Sequence, residues 1–167
     1  SKVPINRQGM FKVFVPAIHV FIFFLWGLLQ PQRVTITDDV PEVMTPGQEA
    51  IVTVTIDKSD VSGFAKYQVS LSSGLAAEPV ETAGASFTFH EGEAKFIWMS
   101  LPADRKFTLS YRLTAAGSAR EKAEVTSRFS YIHENKRFNY DAPSTVVQIG
   151  EPGADIKPGE PTRKSST

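Results

Sequence analysis

Residues Met10–Leu29 read MFKVFVPAIHVFIFFLWGLL, and this run constrains the rest of the chain more than any other feature. As an α-helix its twenty residues rise about 30 Å, the hydrocarbon thickness of a bilayer. The one fixed charge, Lys12, lies near the amino edge. The run therefore reads as a single transmembrane helix, with the lipid bilayer as its first partner.

A secretory signal peptide is the competing reading, because Lys2, Arg7 and Lys12 place positive charge ahead of and within the start of the apolar core. The residues after Trp26, Gly27-Leu28-Leu29-Gln30-Pro31, lack the small-residue pair of an A-x-A-like cleavage site. With no cysteine for a lipid anchor either, an uncleaved span is favoured. Basic residues on the amino side, against Asp38, Asp39 and Glu42 beyond Arg33 on the other, place the amino terminus in the cytoplasm. The expected division is a cytoplasmic leader (1–9), a membrane helix (10–30), a periplasmic or extracellular module (31–140) and a Pro/Gly-containing tail (141–167).

Inside the span, Pro16 lies near the amino end, where a missing backbone donor is best tolerated. His19 lies near the middle, where a polar group needs a partner. One reading makes it an axial ligand to haem or a chlorophyll-type pigment, surrounded by Phe21, Phe23, Phe24 and Trp26. The plainer one is a histidine hydrogen-bonded to another membrane subunit, and it is preferred because polar side chains commonly join membrane helices. Either way His19 and the interfacial Trp26 are candidate partner-binding residues.

Beyond the span the hydrophobic period changes to two. Val52, Val54 and Ile56 alternate with Thr53 and Thr55, and Tyr67, Val69 and Leu71 alternate with Gln68 and Ser70. The same pattern runs through Phe107, Leu109, Tyr111 and Leu113, and through Ala123, Val125, Ser127, Phe129 and Tyr131. Turns are expected at Thr45-Pro46-Gly47-Gln48, Ser72-Ser73-Gly74, Ala83-Gly84 and Glu91-Gly92-Glu93, the last bracketed by strands at Ser86–His90 and Ala94–Met99. Short alternating runs without an amphipathic helix predict an all-β module of about 110 residues. Its expected form is an antiparallel jelly-roll or immunoglobulin-like β-sandwich. Tyr67, Phe87, Phe96, Trp98, Phe107 and Tyr111 are its expected aromatic core rather than a sugar-binding platform.

The succession PGQEAIVTVTI, VSGFAKYQVSLSSGL, AKFIWMSL and FTLSYRL resembles the layout of cohesin-like and related carbohydrate-binding-module sandwiches, over roughly residues 34–116. The resemblance implies a jelly-roll-like module used for binding or assembly. No binding motif of that family maps residue by residue onto this chain, and a directly attached membrane span departs from the usual secreted arrangement.

Chemistry is sparsely signalled. Formal net charge is +0 and there is no basic stripe, so nucleic acid is not an expected partner. His90 and His133 fall in no metal-ligand spacing. Glu91 and Glu93 read as solvated turn carboxylates rather than a glycosidase pair, and Asp57 and Asp60 as an acidic turn rather than a calcium loop. From Glu134 to Arg137 the chain reads as a polar connection, with Phe138 and Tyr140 pinning it to the sandwich. Val146, Val147 and Ile149 would form an added edge strand able to pair with another subunit. The expected function is a noncatalytic accessory subunit of a membrane complex. A tethered recognition module for polysaccharide or an envelope protein is the alternative, and a tetrapyrrole-binding subunit of a respiratory or photosynthetic assembly a third.

Overall fold

The computed structural model describes residues 33–119 and 121–150. The expected span, with His19 and Trp26, and the end of the tail lie outside the described residues. The described chain forms eleven strands: β1 (Thr35–Asp38), β2 (Val43–Met44), β3 (Glu49–Asp57), β4 (Ala65–Leu71), β5 (Leu75–Glu81), β6 (Ser86–His90), β7 (Glu93–Trp98), β8 (Lys106–Ala115), β9 (Lys122–His133), β10 (Lys136–Asp141) and β11 (Thr145–Ile149).

They assemble into two sheets, one of four strands in the order β1-β3-β8-β5 and one of seven, β2-β11-β9-β4-β7-β6 with β10 also paired to β9. The strict alternation of β3 and β8 is what joins them in the smaller sheet. Val52 lies opposite Tyr111, Val54 opposite Leu109 and Ile56 opposite Phe107, so both apolar sets face inward together. In the larger sheet Tyr67 lies between Phe96 and Phe129 on its two neighbours. These inner faces close on one another to make a single core that includes Tyr67, Phe96, Trp98, Leu109, Tyr111 and Phe129. Trp98 packs edge-on against Phe107 at 5.6 Å, and its indole N–H donates to the Ala83 carbonyl at 2.9 Å, fastening the turn between the sheets.

Four features depart from the sequence expectation. The larger sheet is mixed rather than wholly antiparallel, because β2 runs parallel to β11. Strand β5, LAAEPVE, was not anticipated: Pro79 and two adjacent alanines depress strand propensity, but β5 is an edge strand, where a missing donor is tolerated and the register shifts between Pro79 and Glu81. Phe87 is only partly buried, whereas Phe129 contributes a fully buried ring.

The fourth concerns the carboxyl-terminal end. The expected polar connection is instead a hairpin: Glu134 and Asn135 take positive φ of 50° and 59°, the geometry of a two-residue turn matched to strand twist, and β10 returns antiparallel along β9. Past Pro143 the chain continues along the same edge of β9 as β11, with Val147 and Ile149 in the core. The strands of the sandwich therefore run through Ile149. Polar residues at alternate positions made β10 look like a loop, although alternation is what an edge strand with one wet face requires.

Candidate binding face

The two outer faces of the sandwich differ. On the four-stranded sheet Arg112 sits between Glu49 at 3.5 Å and Glu78 at 3.1 Å, so its central charge is answered within the sheet. The seven-stranded sheet instead carries an open groove of about 590 Å³. Lys66, Gln68 and Ser70 on β4 form one wall, Thr126, Arg128 and Ser130 on β9 the floor, and Arg137, Asn139 and Asp141 on β10 the other wall. These are the outward halves of three alternating strands, and their inward halves are what hold the strands in register. Asn139 lies opposite Ser130, and Ser130 opposite Lys66, giving a continuous polar row across the sheet.

Charge in the groove is partly matched. Arg128 donates to both oxygens of Asp141, the second at 3.2 Å, and this hydrogen bonding holds the Asp141 carboxyl below its ordinary value. Gln68 donates to Glu93 at 3.1 Å, and Lys95 pairs with Glu93 at 3.1 Å. Lys66 and Arg137 have no ion-pair partner among the described residues. One end of the groove turns apolar: Phe64 and Ile132, 41% and 42% exposed, line a smaller depression beside Lys66 and Arg137. The face thus combines an apolar contact with unanswered cations and with neutral amides and hydroxyls.

The residues singled out in sequence lie elsewhere. Val147 and Ile149 are core residues of β11, and β2 covers the outer edge of that strand at Gln148 and Ile149. Their side chains therefore pack the core, because the alternation that makes them strand-like also turns them inward, and β2 takes part of the edge that an added strand would use. Val146 alone of the three faces outward. Asp57 accepts from the Ser59 amide at 3.1 Å and from Arg105 at 3.3 Å, while Asp60 pairs with Arg33 at 3.2 Å. Among the described residues no group of three His, Cys, Asp or Glu side chains could hold a metal ion. Glu91 stands beside His90 at 3.5 Å with both side chains exposed. Sequence reasoning missed Lys66, Arg128 and Arg137 as neighbours. Their one signal was polar phase on strands far apart in the chain.

No protein-family model and no curated protein sequence matches this chain. Solved structures do. A non-cellulosomal cohesin from the hyperthermophilic archaeon Archaeoglobus fulgidus superimposes with a TM-score of 0.52 at 14% identity, over 72% of this chain and 93% of the cohesin. A DUF4466 family protein from Parabacteroides merdae matches with a TM-score of 0.44 at 14% identity, over 70% of this chain and 45% of that one. The protein is thus a cohesin-like β-sandwich in fold, as the strand motifs implied.

Proposed function

We propose that this protein is a noncatalytic interaction module, tethered to a membrane by residues 10–30, whose external sandwich receives a neighbouring protein on the outer face of its seven-stranded sheet. The observation that carries the reading is the groove itself. Its wall and floor side chains converge from three strands, two of its cations have no ion-pair partner among the described residues, and an apolar patch lies at its end. Such a face is a poor catalytic site, since it is shallow and open to water, but a good one for a partner that brings carboxylates and an apolar anchor. The likeness to a cohesin supports the fold-level half of this reading. Polysaccharide is the less favoured ligand because the anticipated aromatics Tyr67, Phe96, Trp98, Phe107 and Tyr111 are all buried, leaving no stacking platform among them.

The test is gentle detergent purification of the full chain with its membrane, followed by mass spectrometry. A stoichiometric protein other than the chain itself is expected with the wild type. It should be lost from the double variant Lys66→Glu/Ser130→Glu, which sets carboxylates against those of the partner and leaves thermal unfolding unchanged. A chain that purifies without any other protein and binds soluble glycan would sink the reading.

A further inference from the structure

Strand β10 lies on the rim of the groove with β9 on one side of it and no strand on the other among the described residues. The Ala142 amide donates inward to the Ser127 carbonyl at 3.1 Å, and alternation then turns the backbone N–H and C=O groups of Arg137, Asn139 and Asp141 outward. The tight Glu134-Asn135 turn sets the same phase. Other lateral edges are less open. Pro79 and a register shift interrupt β5, β2 covers part of β11, β1 has 4 residues, and β6 turns only Phe87 and Phe89 outward in the same sense.

The sequence of β10, Lys136-Arg137-Phe138-Asn139-Tyr140-Asp141, is complementary to itself when read in reverse. Hydrogen bonds can form only in registers that set outward backbone groups opposite outward ones. Centring an antiparallel pair on Asn139 does this and places Arg137 opposite the partner's Asp141, Phe138 opposite the partner's Tyr140, and Asn139 opposite its own copy. Centring on Phe138 or Tyr140 also satisfies the backbone phase but leaves both charges unmatched and shortens the overlap.

We propose that β10 is a dimerisation edge, through which two copies of this chain pair antiparallel about a two-fold axis at Asn139 and join their seven-stranded sheets. The pairing forms about six main-chain hydrogen bonds from three outward residues on each copy. On the outer face Arg137, without an ion-pair partner among the described residues, meets a carboxylate that Arg128 holds ionised and that has lone pairs free for a second guanidinium. On the inner side Phe138, 40% exposed and stacked on Tyr131 at 5.5 Å, gains the partner's Tyr140 at the closer, non-hydrogen-bonded type of position. The isologous contact closes at two copies, so the edge is capped rather than left to propagate. The two binding grooves then become neighbours across the axis. This inference stands without the protein-partner reading, since it uses only the edge and its register.

The full chain in detergent, measured by light scattering coupled to chromatography and corrected for bound detergent, is expected to dimerise reversibly below about 1 mM. Arg137→Asp alone and Asp141→Arg alone each place like charges opposite one another twice, so each is expected to be monomeric. Mixed in equal amounts, these two variants become complementary at both positions, and the dimer should return as a heterodimer. Thermal unfolding of each variant checks that the sandwich is intact. The proposal is overturned by a wild type that stays monomeric to that concentration, by either single variant dimerising as the wild type does, or by a mixture that remains monomeric.

Discussion

At the residue scale, stability rests on a few large side chains whose removal leaves space that the sheets cannot close. Trp98 is the clearest: its ring touches Phe107 and Phe129, and its N–H is satisfied at Ala83. Trp98→Ala should cost about 3 to 5 kcal/mol, read as a lower urea midpoint. Asp38 works in the opposite sense. Burial raises its carboxyl above the ordinary value, although the Val40 amide offsets part of that, and the neighbouring Asp39 adds to the rise. A raised folded value means that the folded state takes up the proton first. Stability therefore increases as pH falls through the folded value, and the charged form is a burden at neutral pH. Asp38→Asn should accordingly raise the melting temperature at pH 7, with the gain shrinking below the ordinary carboxylate range; an equal gain at both pH values would refute the charge as its cause. Tyr67 and Tyr111 are pushed upward by burial and stay neutral throughout, so they add nothing to that profile.

At the scale of elements, the hairpins carry most of the register. The β6–β7 turn uses Glu91 and Gly92 alone, with φ of 48° and 76°, and Glu93 already belongs to β7. Gly92 is doubly constrained, because a Cβ there would meet the Leu71 carbonyl oxygen at 2.8 Å. At Gly84, φ is +80° but nothing lies within 4 Å of the added atom. Both Gly→Ala changes carry a left-handed penalty of about 1 to 2 kcal/mol. Gly92→Ala should lose more than Gly84→Ala, and equal losses in urea titrations would show that the Leu71 contact yields freely. Turn residues and strand alternation were readable here before any coordinates. Strands β5 and β10 were not, since an edge strand is identified by what it pairs with rather than by its own propensity.

At the scale of the whole molecule, the proposed arrangement puts the sandwich outside the membrane and the first residues in the cytoplasm. The chain has no cysteine, so single introduced thiols report topology without background. In intact cells Thr88→Cys should react with a membrane-impermeant maleimide, whereas Lys2→Cys should react only after permeabilisation. The reverse pattern would invert the orientation.

Alternation along β3, β4, β8 and β9 was enough to define an all-β sandwich and to sort inward from outward side chains, because a strand's period is a local property of its backbone. The pairing of those strands is not local. That Lys66, Arg128 and Arg137 share one groove, that Val147 and Ile149 belong to the core, and that β10 has an open edge follow from contacts between segments far apart in the chain. Only the closed sandwich decides which polar phases meet, since burial of the opposite faces sets the register that brings them together.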